Sequence, residues 1–197
     1  MSQEPAVIVL AAGQGSRYRQ LAGADQDKLL APCIGRDGVV RAVLEHVLVN
    51  LPARLSRRLL VTTADRHAVA RLGQAYGCQV LRVDSPGMGH SIAAGVGACT
   101  DAGGWLVMPG DMPFILASTV ERVVQEMEEG AISVPVLGAE YGHPVGFGRG
   151  YGAALLGLSG DRGARRLFAQ GTLVPVSVTD PGVLWDVDVP QALLFSG

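Results

Sequence analysis

Short apolar segments alternate with longer amphipathic segments along most of the chain. Five apolar runs predict buried strands, at 7–10, 59–63, 78–83, 105–108 and 132–136. Strands that are apolar on both faces are typical of a mostly parallel sheet, because helices must then cover both sides. The pattern therefore predicts an α/β fold of three layers with a doubly wound, mostly parallel sheet.

The amphipathic segments predict the helices that cover this sheet. We expect three of them at 39–51, 65–76 and 91–100. The clearest helix begins at Ser118, because Ser118 and Glu121 have the spacing of a capping box. Apolar residues recur at helical intervals after Ser118, and Gly130 is expected to close the helix.

The pattern changes after residue 140, where residues 142–152 contain five glycines and one proline. This composition predicts a short strand and loops that face a substrate. Beyond it we expect a helix near 164–170, a strand near 183–187 and a C-terminal helix from Pro190. No repeat or linker divides the sequence, so residues 1–197 are expected to form one domain.

Composition narrows the classes of protein that the chain can belong to. Hydrophobic residues make up 48% and charged residues 17%, which is typical of a globular domain. The formal charge is −2 without a basic run, which argues against nucleic-acid and membrane partners. The three separated cysteines fit reduced, buried thiols. The N-terminus lacks the pattern of a signal peptide, so we expect a cytoplasmic protein.

A glycine-containing loop follows the first predicted strand, in the stretch V-I-V-L-A-A-G-Q-G-S-R at 7–17. Ligands of open α/β sheets bind beyond the carboxyl ends of the strands, where this loop lies. Gly13 and Gly15 would let backbone N–H groups approach an anion, while Arg17 and Lys28 would add positive charge. The loop therefore predicts a phosphate site, although an ordinary turn between strand and loop has the same pattern.

Two familiar phosphate motifs are excluded by this loop. A P-loop needs a Gly-Lys-Ser/Thr ending, which the segment lacks. The dinucleotide fingerprint needs a third glycine where Tyr18 stands, which argues against a Rossmann oxidoreductase.

Two further buried segments end in acidic residues. Asp111 lies in W-L-V-M-P-G-D-M-P at 105–113, and Asp188 lies in D-V-D-V-P at 186–190. Magnesium bound to a nucleotide takes one or two protein carboxylates besides phosphate oxygens and waters. Asp111 and Asp188 therefore form a candidate Mg²⁺ site, with helix capping or a turn as the alternative role of each acid.

Taken in order, these motifs resemble those of the MobA-like nucleotidyltransferases, and most specifically the molybdenum cofactor cytidylyltransferases. The matching segments span nearly the whole chain. They are L-A-A-G-Q-G-S-R at 10–17, D-K-L-L-A-P at 27–32, G-M-G-H-S-I at 87–92, P-G-D-M-P at 109–113, G-H-P-V-G-F at 142–147, G-D-R-G-A-R at 160–165 and D-V-D-V-P at 186–190.

The resemblance implies a Rossmann-like nucleotidyltransferase fold and a role for each motif. Catalysis would rest on Arg17, Lys28 and Asp111, and the metal would be held by Asp111 and Asp188. The nucleotide would be bound by Leu10, Ala11, Ala12, Gly13, Gly15, Arg17, Lys28, Gly87, Met88, Gly89 and Ser91. The second substrate, a pterin phosphate, would face His143, Pro144 and Phe147.

One departure from the family pattern concerns the lysine. Lys28 follows Arg17 by eleven residues, which is further than the family usually places it, and Arg19 occupies a position where the family has glycine. The D-K-L-L-A-P context of Lys28 is kept, so we assign the triphosphate role to Lys28. Arg19 is the alternative for part of that role.

The implied reaction is attack by a terminal phosphate monoester on the α-phosphate of a nucleoside triphosphate. Ala12 favours CTP, because the related guanylyl enzymes tend to have glycine there, and ATP or GTP are the alternatives. The expected acceptor is a molybdopterin-type cofactor, with transient contact to a molybdoenzyme. A sugar phosphate or methylerythritol phosphate is the alternative acceptor.

A protein that carries the pterin cofactor without catalysis is the rival class. Loss of the metal-binding acids would mark such a protein, and both acids are present here.

Histidines and aromatic residues give weaker signals. His46 and His67 are expected at the surface of helices, whereas His90 and His143 either contact substrate or hydrogen-bond within loops. Three aromatic residues either stack on a pterin or pack at the sheet edge, namely Tyr141, Phe147 and Tyr151.

Overall fold

A central sheet of eight strands organises the protein. The computed structural model describes residues 4–84, 87–161 and 163–197. Arg162 of the G-D-R-G-A-R segment lies outside the described residues.

The secondary structure of the described residues alternates between strands and helices. The strands are β1 (Ala6–Leu10), β2 (Pro32–Ile34), β3 (Val40–Ala42), β4 (Arg58–Thr62), β5 (Gln79–Arg82), β6 (Gly104–Pro109), β7 (Ile132–Leu137), β8 (Glu140–Tyr141), β9 (Val145–Gly148) and β10 (Leu173–Ser177). The α-helices are α1 (Ser16–Ala22), α2 (Val43–Val49), α3 (His67–Ala75), α4 (Met88–Gly97), α5 (Ala117–Gln125) and α6 (Gly152–Leu156). Short 3₁₀-helices occur at Lys28–Leu30, Arg149–Tyr151, Arg165–Ala169, Pro181–Leu184 and Pro190–Leu193.

The main sheet has the strand order β10-β7-β9-β6-β1-β4-β5, and β8 pairs with β7. Strands β6, β1, β4 and β5 run parallel, as do β7 and β10. Strand β9 lies between β6 and β7 and runs antiparallel to both. This mixed, mostly parallel sheet confirms the predicted fold class.

Apolar side chains cover both faces of the sheet. On one face, β1 residues Val7 and Val9 join apolar side chains of α2, α3 and α5 in one cluster. On the other face, Ile8 joins side chains of α4 and α6 in a second cluster. Residues Ala6 to Val9 are all fully buried, which explains why β1 reads as a continuous apolar run rather than an alternating one.

The five apolar runs coincide with strands β1, β4, β5, β6 and β7, which confirms those predictions to within a residue or two. The helix predicted over 39–51 is wrong in its first part. Residues Val40–Ala42 instead form β3, which pairs antiparallel with Pro32–Ile34 of β2. The helix is shorter, Val43–Val49, because pairing of β3 with the preceding strand β2 overrides the local helical pattern.

The capping box predicted at Ser118 is also wrong. Helix α5 is preceded by Leu116 and has no capping side chain of its own, while Glu121 forms an ion pair with Arg54. The helix ends at Gln125 rather than at Gly130. Its N-terminus is instead stabilised by Asp180, whose carboxylate accepts hydrogen bonds from the Leu116 amide and the Thr119 hydroxyl.

The last sixty residues contain less regular structure than predicted. Residues 183–187 do not form a strand, and the final parallel strand of the sheet is β10, which pairs with β7. The segments predicted as helices near 164–170 and after Pro190 are 3₁₀-helices of five and four residues. Flanking prolines and glycines explain the short lengths, since neither residue supports a longer α-helix.

Three smaller predictions can be compared with the described residues. Cys33, Cys78 and Cys99 are buried free thiols, as expected, and burial raises the pKa of Cys33 and Cys78 to about 11. His67 is exposed as predicted, but His46 is buried and its Nε2 atom lies 3.1 Å from the Cys33 carbonyl oxygen. In the described part of the chain, no helix has the length and apolar character needed to cross a membrane.

Asp180 provides a test of how the chain segment leading to residue 188 is anchored. Its carboxylate is 3% exposed and also bonds Arg36 and the Gly182 amide. Replacement by alanine removes these hydrogen bonds, and among the described partners only Arg36 keeps a second acceptor, the Phe114 carbonyl oxygen, so we expect Asp180→Ala to lower the free energy of unfolding by about 3 kcal/mol.

Urea denaturation measures this loss. Asp101→Ala is the control, because Asp101 forms an exposed ion pair with Arg57 and should change stability little. Equal losses in the two variants would contradict the anchoring role of Asp180.

Candidate active site

The glycine loop lies at the carboxyl end of β1 and leads directly into helix α1. Gly15 precedes the helix and has φ of +61°, a backbone conformation that residues other than glycine rarely adopt. An added Cβ at Gly15 would lie 3.5 Å from the side chain of Lys28. Glycine therefore lets the loop turn into α1 while the stem of Lys28 packs against it.

Lys28 bridges the two predicted metal-binding acids. Its Nζ atom lies 2.6 Å from Asp111 Oδ2 and 2.9 Å from Asp188 Oδ1. Arg17 contacts the other oxygen of Asp188 at 3.1 Å, and its side chain is 78% exposed. The structure thus brings together four residues that are far apart in sequence, two cations and two anions.

The strand order explains why the two acids meet. Strand β6 pairs with β1 so that Pro109 lies opposite Leu10, and the Gly110 amide donates to the Leu10 carbonyl oxygen at 2.9 Å. Asp111 therefore emerges beside the glycine loop. The Val187 amide donates to the Asp111 carbonyl oxygen at 2.9 Å, which brings Asp188 alongside.

Electrostatic coupling shifts the pKa values in this cluster. Burial lowers the pKa of Lys28, but the contacts with Asp111 and Asp188 outweigh burial and raise it. Burial raises the pKa of Asp188, but Lys28 and Arg17 outweigh burial and lower it. Burial, with added repulsion from Asp188 and Asp111, raises the pKa of Asp186. Lys28 is therefore a protonated ammonium group at neutral pH.

A cavity of about 550 Å³ opens between the glycine loop and the start of α4. Predicted nucleotide-binding residues line it together with Asp111, namely Leu10, Ala11, Ala12, Gly13, Lys28, Gly87, Met88 and Ser91. Five further residues line the cavity that lie in the family segments but were not singled out, namely Gln14, Ser16, Leu29, Pro109 and Asp161. Arg17 and Asp188 do not line the cavity but contact its wall through Lys28 and each other.

Two predicted glycines act outside the cavity wall. Gly15 packs on Lys28, and Gly89 is buried against the neighbouring segment at residues 159–160. The Gly89 amide donates to the Gly160 carbonyl oxygen at 2.8 Å, and an added Cβ would lie 2.8 Å from the Ser159 carbonyl oxygen. Glycine is needed there for close backbone approach.

A second cavity of about 200 Å³ adjoins the first, and both share Leu10, Met88 and Pro109 as lining residues. His143 and Phe147 line the second cavity, whereas Pro144 is buried beside them and follows a cis peptide bond. Most of the remaining wall is apolar or aromatic, with Ile92, Val107, Tyr141, Val145, Ala164 and Phe168 among its residues.

The imidazole of His143 is a buried polar group in this second cavity. Its Nδ1 atom has no hydrogen-bond partner among the described residues. Burial lowers the pKa of His143, although Asp111 acts in the opposite direction. The ring is therefore neutral at pH 7, and its Nδ1 atom is buried beside the cavity without a partner.

The remaining histidine and aromatic candidates either line a cavity or contact neighbouring residues. His90 is exposed, and its Nδ1 atom accepts a hydrogen bond from the Gly160 amide at 3.0 Å, so it connects loops. Tyr141 lines the second cavity and contacts Phe168 edge to face. Tyr151 packs against Phe147 of the interior strand β9 and is not among the residues that line the second cavity.

The donor set at Asp111 and Asp188 fits a divalent cation that also binds a nucleotide. Among residues 4–84, 87–161 and 163–197, no group of three or more His, Cys, Asp or Glu side chains is placed to hold a metal ion. Asp111 and Asp188 both contact the ammonium group of Lys28. Two such carboxylates are nevertheless sufficient as protein ligands for Mg²⁺ when phosphate oxygens complete its coordination.

The sheet topology, the glycine loop and the paired cavities define a Rossmann-like nucleotidyltransferase. Residues 7–176 match the family model described as the MobA-like NTP transferase domain. Since this match covers most of the chain, the protein belongs to the MobA-like NTP transferase family.

Relatives and solved structures agree with this assignment. The bifunctional protein GlmU of Maricaulis maris (strain MCS10) is 35% identical over 153 residues, which are 76% of this chain and 31% of GlmU. The chain spans about 30% of the length of the curated relatives it matches.

Rv0371c of Mycobacterium tuberculosis H37Rv, solved in complex with manganese, has a TM-score of 0.73 and 25% identity. The alignment covers 96% of this chain and 95% of Rv0371c. Molybdopterin-guanine dinucleotide biosynthesis protein A of Archaeoglobus fulgidus shares the fold, with a TM-score of 0.65 at 18% identity over 95% of this chain and 94% of that chain.

His143 leads to a prediction about stability and pH. The ordinary pKa of 6.5 applies in the unfolded chain, whereas burial lowers it in the folded protein. As the pH falls below about 6.5, the unfolded chain therefore takes up a proton first, and the folded state loses stability. We expect the free energy of unfolding to fall less steeply between pH 7 and pH 5 in His143→Leu than in the wild type.

Chemical denaturation at several pH values measures this slope. His67→Ala removes an exposed imidazole and should keep the slope of the wild type. An unchanged slope in His143→Leu would show that His143 is not the group that titrates.

Proposed function

We propose that the protein transfers CMP from CTP to the terminal phosphate of a molybdopterin-type cofactor and releases pyrophosphate. The observation that carries the proposal is the position of Lys28, Asp111 and Asp188 beside two adjoining cavities. The larger cavity has the glycine loop that suits a triphosphate, and the smaller cavity has an aromatic wall that suits a flat ring.

The reaction needs no nucleophile from the protein. A phosphate monoester has a second pKa of about 6, so the acceptor phosphate is mostly dianionic at neutral pH. One of its oxygens attacks the α-phosphorus of CTP, a new P–O bond forms, and the bond between the α-phosphorus and the bridging oxygen breaks. Pyrophosphate leaves with the electron pair of that bond. The tasks left to the protein are alignment and charge neutralisation.

Lys28 and Arg17 supply fixed positive charge for these two anions. The carboxylates keep Lys28 protonated, and the exposed guanidinium of Arg17 reaches solvent at the mouth of the site. Asp111 and Asp188 would hold Mg²⁺, which when bound adds charge neutralisation at the phosphates. Rv0371c, which has 25% identity to this chain, is solved in complex with manganese, and this supports the use of a divalent cation.

The second cavity suits the pterin end of the acceptor. Tyr141, Phe147 and Phe168 provide aromatic surface, and the neutral His143 ring offers one unsatisfied nitrogen. A planar heteroaromatic ring with polar edges matches both features, because it stacks on aromatic residues and hydrogen-bonds at its rim. A sugar phosphate would leave this aromatic wall without a comparable partner.

Ala12 supports CTP as the donor. Its methyl group lies in the wall of the larger cavity and narrows it relative to a glycine at that position. Such a volume difference discriminates between bases by about 1 to 3 kcal/mol, which favours a pyrimidine over a purine.

Pyrophosphate release tests the proposal directly. The protein is incubated with Mg²⁺, molybdopterin cofactor and each of the four nucleoside triphosphates in turn. We expect release with CTP and little with the others. Release with another triphosphate would contradict the choice of base, and release only with a sugar phosphate or methylerythritol phosphate would contradict the acceptor. Cofactor binding without pyrophosphate release would indicate a carrier protein.

Substitutions at the charge cluster test the roles of its members. Lys28→Ala and Arg17→Ala should each lower turnover roughly 10²- to 10³-fold, as the loss of one electrostatic contact to a transition state does elsewhere. Asp111→Asn should abolish the magnesium-dependent activity while the protein remains folded.

Arg57→Ala is the matched control, because Arg57 pairs with Asp101 at the opposite edge of the sheet. Near-normal turnover in Lys28→Ala and Arg17→Ala would remove the proposed roles. An unchanged magnesium titration in Asp111→Asn would remove the assignment of Asp111 as a ligand.

A further inference from the structure

Arg66 links two segments of the site without lining either cavity. Its side chain is 6% exposed, and Nη1 donates to the carbonyl oxygens of Ala11 at 2.6 Å and Gly13 at 2.9 Å. Nη2 donates to Asp27 Oδ1 at 2.7 Å. One guanidinium therefore holds two carbonyl groups of the glycine loop and the carboxylate of a neighbouring turn.

Asp27 extends this link to Lys28. The same Oδ1 atom accepts the Leu29 amide at 3.0 Å and caps the short helix Lys28–Leu30. Lys28 is the first residue of that helix, so the cap fixes the backbone from which its side chain reaches Asp111 and Asp188.

The other side of the link is anchored on the sheet. Arg66 lies between β4 and α3, four residues beyond the end of β4, and β4 pairs with β1. The Ala11 carbonyl oxygen also accepts the Thr62 hydroxyl at 3.1 Å. Arg66 is thus attached to the paired strands β1 and β4, while Asp27 belongs to a connecting segment.

This connecting segment is where the chain departs from its family pattern. Helix α1 ends at Ala22, Gly23 follows with φ of +119°, and Asp25 and Gln26 are exposed. No helix or strand covers residues 23–27, so no regular element sets the distance from Arg17 to Lys28. The contact between Arg66 and Asp27 is the point at which the segment rejoins the glycine loop.

We propose that Arg66 is a positioning residue, which acts through Asp27 to hold Lys28 in register with the glycine loop for triphosphate binding. This inference rests on the proposed function for its kinetic consequence. Its structural consequence does not depend on that function, because the guanidinium orders the turn at residues 27–31 in the free protein. A buried guanidinium with three acceptors gives a rigid connection, since planar charge-assisted hydrogen bonds fix direction as well as distance.

Arg58 offers a matched control within the same chain. It is also a partly buried arginine, and its guanidinium donates to the carbonyl oxygens of Leu51, Pro52 and Leu55 near the opposite edge of the sheet. Loss of Arg58 therefore removes a similar set of hydrogen bonds away from the site.

Hydrogen exchange of the nucleotide-free protein tests the structural part. In Arg66→Gln and in Asp27→Ala, the amides of residues 29–31 should exchange at least about tenfold faster than in the wild type, because local opening becomes easier. Arg58→Gln should leave exchange at residues 29–31 unchanged. Wild-type exchange there in Asp27→Ala would overturn the link. If Arg66→Gln does not fold, Arg66→Lys, which keeps the charge but not the planar fork, takes its place.

Kinetics test the positioning part. Arg66→Gln should lower kcat/KM about 10- to 100-fold, a range typical for residues that orient a ligating group. The KM for the triphosphate should rise while the KM for the acceptor molecule stays unchanged. Asp27→Asn keeps an acceptor oxygen, so it should lose less activity than Asp27→Ala. Equal loss in Arg58→Gln, or a rise only in the KM for the acceptor, would overturn the proposal.

The two proposals fail in different ways. A wild-type protein that releases no pyrophosphate with any triphosphate contradicts the proposed function, and the exchange experiment still decides whether Arg66 orders the turn. Normal wild-type turnover with unaltered triphosphate KM in Arg66→Gln contradicts the positioning role alone.

Discussion

The ammonium group of Lys28, shared by two carboxylates at the carboxyl edge of the sheet, is the interaction around which the site is built. A buried cation is stable only with close counter-charges, and a pair of carboxylates is stable only with a cation between them. Three separate parts of the chain must therefore converge to within hydrogen-bond distance. The pairing of β6 with β1, the contact of Val187 with Asp111 and the turn at Asp27 each satisfy part of that requirement.

Much of this convergence follows from the sequence because of a simple geometric rule. Continuous apolar runs indicate strands buried on both faces, and the polar residues that follow parallel strands meet at one edge. The glycine loop after β1 and Asp111 after β6 obey this rule, and the structure places them beside each other. Asp188 was paired with Asp111 on the same reasoning, but the strand predicted before it is absent, and the 3₁₀-helix Pro181–Leu184 precedes it instead.

The parts that escaped prediction depend on contacts with residues outside the local helical pattern. The carboxylate that stabilises the start of α5 lies 64 residues beyond Leu116, and the arginine that holds Asp27 lies 39 residues beyond it. Residues 40–42 pair with a neighbouring strand instead of continuing the helix that their local pattern favours. His46 lies in an amphipathic stretch but reaches the Cys33 carbonyl of that hairpin. Local periodicity carries no information about such partners.

The antiparallel direction of β9 has a consequence for how the two halves of the site can diverge. Val145 lies opposite Val107, so the beginning of β9, rather than its end, faces the carboxyl edge. The turn that enters β9 carries Tyr141 and His143 into the smaller cavity, whereas the larger cavity is built by loops that leave β1 and β6. Under the proposed function, a longer or re-shaped entry turn would therefore exchange one acceptor for another, while the loops proposed to bind the nucleotide stay unchanged.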